Sequence, residues 1–177
     1  MPEELIERIK RKDRKAQFEF YQRYSVPLFR LTYRYITNEQ DAGSIVNMAF
    51  FKIFGHIRDF NYKDPDSLMA WMKKIVINES LMFLLQKFTY AELDGNTAKD
   101  LLFDNLPEDH LILEDYYTLI RKLPDDLRTV FNLHALDGFS HNEIANHLKI
   151  KEASSRAYLS KARKMLQNYI IKRISDG

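Results

Sequence analysis

Apolar residues recur every three or four positions along almost the whole chain. Ala42, Ile45, Val46, Ala49, Phe50, Ile53, Phe54 and Ile57 make one stripe of a helix. Asn38 stands where an N-cap is needed, and Gly55 with residues 58–61 is expected to end the helix. Upstream, Phe18, Tyr21, Tyr24, Leu28, Leu31 and Tyr35 trace a second helix, with Pro27 as an expected kink. Residues 59–66 read as a polar-aromatic loop. Asp64 as cap and Pro65 at the first helical position then open a helix that passes through Trp71 to the neighbourhood of Lys87. In the C-terminal part the pattern predicts a helix over 110–122 and one started by Pro124 that runs to Leu136. A turn at Asp137-Gly138, a short helix capped by Ser140 and ending near Leu148, and a long helix over 151–173 follow. No repeat, low-complexity tract or strand pattern interrupts this, so the fold class is all-α.

Residues 89–109 break the periodicity. They contain Gly95, Asn96 and Pro107, and the stretch 91–113 carries six acidic residues against a single Lys. Residues 1–90 hold 15 Lys and Arg against 11 Asp and Glu, and 114–177 hold 11 against eight. The formal net charge of +2 therefore hides a basic block, an acidic strip and a second basic block. The expected organisation is two small helical domains, 1–88 and 110–177, joined by an acidic linker at 89–109.

Composition narrows the classes. Twelve Phe and 10 Tyr in 177 residues are too many for a disordered chain, and five Gly with five Pro are too few for a turn-rich sandwich or barrel. With no Cys, disulfide frameworks, thiol nucleophiles and Cys-ligated zinc are excluded. The start, Met1-Pro2-Glu3-Glu4, lacks the basic and apolar segments of a secretory leader, and the longest apolar run, 81–85, is far short of the ~20 residues that span a bilayer. A cytoplasmic protein without membrane insertion is expected.

The sharpest local motif lies at 138–163, which reads as a helix-turn-helix in the C-terminal domain. Ile144, Ala145 and Leu148 form the inner face of the first helix, Ile150 plugs the turn, and Leu159 with Ala162 packs the second helix back. Lys149 stands where such a turn favours Gly, and Ser155 where an aliphatic inner residue is expected. Residues 149–173 carry eight Lys and Arg against Glu152 alone, the donors that phosphates and base edges need. Arg156 and Lys161 are expected near one face, and Ser140 and Asn142 at a helix start could hold phosphate oxygens. An enzymatic reading finds little. His141, Glu143 and His147 suggest a metal site, but residues six apart fall on opposite helix faces, and no Gly-rich phosphate loop is present. No metal site, cofactor or catalytic residue is expected.

Several segments, in order, resemble the bacterial sigma factors of the extracytoplasmic-function group. They are Phe20-Tyr21-Gln22-Arg23-Tyr24 and Tyr33-Arg34-Tyr35 before Asp41-Ala42; residues 50–54; and residues 70–78 around Trp71. In the C-terminal part they are Leu123-Pro124 with residues 128–131, Gly138-Phe139-Ser140 with Glu143-Ile144-Ala145, and Leu159 with Lys161-Ala162-Arg163. The resemblance implies a region 2-like domain that binds core RNA polymerase and opens the minus-ten element, and a region 4-like domain that reads the minus-thirty-five element. It implies promoter DNA, core polymerase and an anti-sigma factor as partners. Carried over residue by residue, the minus-ten contacts would be Phe60, Asn61, Tyr62 and Lys63 in the loop before the Trp helix, with Lys73 and Lys74 on it. The minus-thirty-five contacts would be Ser140, Asn142, Ser154, Arg156, Lys161 and Arg163. The polymerase-binding face would carry Asp41, Ser44, Asn47, Met48 and Phe51.

Where the family's polymerase-binding helix usually reads Asp-Ala-Glu-Asp and then a Gln-Glu pair, this chain has Asp41-Ala42-Gly43-Ser44 and then Asn47-Met48, so three carboxylates are missing. That departure keeps open a second reading: a divergent, sigma-like helix-turn-helix regulator that does not itself initiate. Helix geometry predicts that Ser44, Asn47, Met48 and Phe51 project away from the core stripe.

Overall fold

A computed structural model describes residues 2–93 and 112–175. Every regular element among them is helical, in two compact units, residues 1–84 and 85–177. The first unit is built from α1 (Pro2–Lys10), α2 (Arg14–Tyr35), α3 (Glu39–His56) and the greater part of α4 (Pro65–Leu93). The second contains the end of α4, then α5 (Ile112–Arg121), α6 (Asp125–Phe131), a π-helical turn (Asn132–Leu136), α7 (His141–Leu148) and α8 (Glu152–Ser175).

Local chemistry explains the helix starts. Asp13 caps α2 by accepting from the amides of Lys15 and Ala16 at 2.8 and 3.2 Å, and Asn38 caps α3 by accepting from Asp41 N–H at 3.0 Å. Asp64 accepts from Ser67 N–H at 2.6 Å while its own amide donates to the Ser67 hydroxyl. α2 runs unbroken through Pro27. In the first unit α1 packs on α2 and α2 on α3. Phe20, Leu28, Tyr35, Ala49, Ile53, Leu68, Met72 and Val76 are sealed from solvent. The centre is aromatic: the Phe20 ring lies 6.4 Å from that of Phe50 and 5.9 Å from that of Phe54. In the second unit α6 and α7 both pack on α8, around Leu127, Val130, Leu133, Ile144, Leu159 and Ala162.

The structure differs from the sequence expectation at definite places. Helix α1 was not anticipated, although Leu5, Ile6 and Ile9 have helical spacing and are buried. Phe18 does not belong to the α2 stripe and is 63% exposed. Phe20 takes the inward place, and two residues turn a helix by about 200°. Gly55 lies within α3 and does not end it, and α4 continues to Leu93. Of the expected linker, residues 89–93 are helical and 94–109 lie outside the described residues. The helix expected to run from Pro124 to Leu136 is α-helical only to Phe131.

Candidate nucleic-acid and protein-binding surfaces

The helix-turn-helix is held together by polar groups as well as by Ile144 and Leu159. Ser140 and Glu143 form a reciprocal cap at the start of α7: the Ser140 amide donates to the Glu143 carboxylate at 2.8 Å, and the Glu143 amide to the Ser140 hydroxyl at 3.2 Å. The hydroxyl hydrogen of Ser140 also goes to that carboxylate, at 2.7 Å. Ser140 is thereby a cap, and the acid beside it opposes a phosphate at this helix start, against the expected role. Lys149 sits in the left-handed region at φ 56°, so a side chain stands where Gly would be cheaper by about 1 kcal/mol. Ser155, placed where an aliphatic residue was expected, is fully buried. It shares a hydrogen bond of 2.9 Å with His141 Nδ1 and so ties α8 to the start of α7. The His141 ring stacks on that of His134 at 4.3 Å. His134 Nδ1 donates to the Phe139 carbonyl at 2.8 Å, because a carbonyl only accepts. Burial, then the neighbouring His134 and Arg156, push the His141 pKa below its ordinary value. His147 is exposed and its ring meets that of Phe139 in an edge-to-face contact.

On α8, Arg156, Lys161 and Arg163 are exposed and Ser154 is half-buried. At 100° per residue Arg156 and Lys161 are about 140° apart, which corrects the expectation that they share a face. Arg156 and Arg163 line one flank of the helix, Ser154 and Lys161 the other, and exposed Lys164 falls between them. Arg156 is paired with Glu152 one turn earlier. Asn142 is exposed and accepts from Asn146.

The loop before α4 splits in two. Phe60 stacks on Trp71 at 4.5 Å, and half-buried Tyr62 has its phenol pKa raised by burial and by the charge of Glu3. Asn61 and Lys63 point to solvent, as do Lys73 and Lys74 on α4. On α3 the outward flank is as the helix geometry predicted: Ser44, Asn47, Met48 and Phe51 are all exposed, with Met48 at 52% and Phe51 at 77%. Asn47 accepts a hydrogen bond of 3.0 Å from the Tyr21 hydroxyl, and Asp41 is half-buried at the helix start. Glu79 of α4 is held by Lys52 of α3 at 2.5 Å, so this carboxylate braces the unit.

A capped helix-turn-helix with a cationic second helix, in a chain whose other unit is a separate helical bundle, defines a class of DNA-binding transcription proteins. Comparison with known proteins narrows it. A family model described as Sigma-70 region 2 matches residues 20–87, and one described as Sigma-70, region 4 matches residues 113–166. The ECF RNA polymerase sigma-E factor of Haemophilus influenzae is 25% identical over 94% of this chain and 93% of its own. The RNA polymerase sigma-H factor of Pseudomonas aeruginosa is 24% identical over 93% and 91%. Among solved structures, the sigma factor RpoE of Bartonella quintana in complex with the anti-sigma factor NepR shares the fold, with a TM-score of 0.52 and 21% identity over 86% of this chain and 96% of that one. CnrH in complex with the cytosolic domain of CnrY does so with a TM-score of 0.50 and 21% identity over 95% and 96%. The chain belongs to the sigma-70 family of RNA polymerase sigma factors, in the extracytoplasmic-function group.

Proposed function

We propose that this chain binds core RNA polymerase through the outward flank of α3 and directs it to promoters, with no catalytic chemistry of its own. The observation that carries the reading is that flank: Ser44, Asn47, Met48 and Phe51 are spread over two turns of one helix and left exposed by their own unit. An exposed Met beside an exposed Phe is an apolar pair suited to a protein partner. Met48 stands where the resemblance expects a carboxylate, so polymerase binding here runs on apolar burial by Met48 and Phe51. Asn61 and Lys63 read the opened minus-ten strand, Lys73 and Lys74 hold its phosphates, and Phe60 supports the loop from its stack on Trp71. Arg156, Lys161, Arg163 and Ser154 of α8 contact the minus-thirty-five element, with Asn142 beside them. The site of action is the cytoplasm, and an anti-sigma partner, as in the solved complex of RpoE with NepR, is part of the reading; among the described residues no helix is long and apolar enough to cross a membrane.

The test is transcription from a candidate promoter by purified core polymerase with and without this protein. A transcript that depends on the added chain is expected. A chain that binds the promoter but gives no transcript with core polymerase would establish the non-initiating regulator instead.

A further inference from the structure

The chain contains six Met and no Cys. With no thiol to react first, its thioethers are the side chains that a peroxide oxidises most readily. Burial grades them. Met72 is sealed inside the first unit, Met69 and Met165 are half-buried, and Met48 and Met82 are 52% and 51% exposed. Of these, Met48 alone stands on α3, on its outward flank and one turn from Phe51, which is 77% exposed. The polar side chains one turn to either side of Met48 are committed elsewhere. Ser44 donates its hydroxyl hydrogen to the Gln40 carbonyl at 3.0 Å, and Lys52 reaches across to Glu79 of α4. An oxygen added to the Met48 sulfur therefore meets no free donor one turn along its own helix and faces outward.

We propose that Met48 is a reversible oxidation site: a peroxide converts its thioether to the sulfoxide, and the oxidised chain no longer binds core polymerase. The proposal rests on the reading of the α3 flank given above. The Met48 sulfur lone pair attacks one oxygen of hydrogen peroxide, and an S–O bond forms as the O–O bond breaks. The proton of the transferred oxygen passes to the departing hydroxide, which leaves as water. The sulfur loses two electrons and the peroxide gains them. A methionine sulfoxide reductase reverses the step with two thiols, which become a disulfide while the oxygen leaves as water. The consequence follows from polarity. A thioether beside Phe51 suits an apolar contact, whereas a sulfoxide oxygen buried there without a donor must give up its water for nothing in return. On the free chain the same oxygen stands in solvent, so the fold is left intact. The free chain is the target, because a bound polymerase would cover the sulfur. Met82, as exposed as Met48 but on α4, is the internal comparison.

The experiment treats the full chain with hydrogen peroxide, removes the excess with catalase, and then titrates the chain against untreated core polymerase. Peptide mass spectrometry reads the oxygen gained at each methionine. Met48 and Met82 should oxidise first and Met72 last. Affinity should fall about 10- to 100-fold in step with oxidation at Met48, the penalty for burying an unpaired polar group. Methionine sulfoxide reductases A and B with dithiothreitol should restore it, and the thermal melt should stay cooperative throughout. Met48→Leu should bind close to the parent before treatment, since the swap nearly conserves apolar volume, and should keep that affinity after it. Met82→Leu should lose affinity on treatment as the parent does. Parent-like affinity with Met48 fully oxidised overturns the proposal. So does an equal loss in treated Met48→Leu, or a Met48 that oxidises no faster than Met72. Failure of the α3 reading would show before any peroxide is added, as untreated parent and untreated Met48→Ala, Phe51→Ala binding alike, and would take the proposal with it; failure of the proposal alone shows only after treatment.

Discussion

Replacing Met48 and Phe51 by Ala separates binding from folding at one surface. A phenylalanine buries roughly 150–250 Å² when fully covered. Phe51 is 77% exposed, so about 140 Å² of it is available to a partner. At about 25 cal/mol per Å² that area corresponds to about 3.5 kcal/mol, and half-exposed Met48 adds about 2. Ordering the two side chains at an interface costs about 0.5–1.5 kcal/mol each, and neighbouring truncations do not add fully. The double variant should therefore lose about 2–4 kcal/mol of affinity for core polymerase, roughly 30- to 1,000-fold in Kd. The same variant should melt within a few degrees of the parent, because exposed side chains contribute within about 0.5 kcal/mol to the fold. Titration of labelled protein against core polymerase, with a thermal melt of each variant, reads both quantities. Because the contact is apolar, its Kd should also change less with salt than a charge-paired interface would. Equal Kd for parent and double variant would refute the reasoning, and so would a loss of affinity accompanied by an equal loss of stability.

Arg128 is almost fully buried and donates to the Leu123 carbonyl at 2.7 Å and to Asp125, so Arg128→Met should destabilise the second unit by about 2–4 kcal/mol, seen as a melting point lower by roughly 10–20 °C. The folded pKa of His141 lies below its ordinary value of 6.5, so the unfolded chain binds more protons below that pH; stability should fall as pH drops through that window, and thermal melts of His141→Gln between pH 7.5 and 5 should show a flatter dependence. Arg156→Ala and Lys161→Ala should each weaken promoter binding by about 1–3 kcal/mol if they reach bases. Lying on opposite flanks of α8, they should act additively in the double variant, and gel-shift titrations showing strong coupling would contradict that geometry.

Much of this architecture was legible from periodicity alone. The α3 stripe, the caps at Asn38, Asp64 and Ser140, and the outward direction of Met48 and Phe51 all follow from spacing within one helix, because a helix fixes the angle between its own residues. The same rule, applied with care, would have put Phe20 inside and Phe18 outside, would have separated Arg156 from Lys161, and would have found α1 from Leu5, Ile6 and Ile9. Other features depend on residues far apart in the chain. Nothing in the run around Ser155 says that its hydroxyl meets His141 fourteen residues earlier, or that His141 stacks on His134. Nothing in 8–15 says that Arg58 joins Lys12 and Arg14 around one cleft, or that Arg8 draws off Asp13 and Glu19. Such groupings are set by how helices cross and by which polar partner each buried group finds. A periodic pattern reports which face of a helix is covered, but not by what.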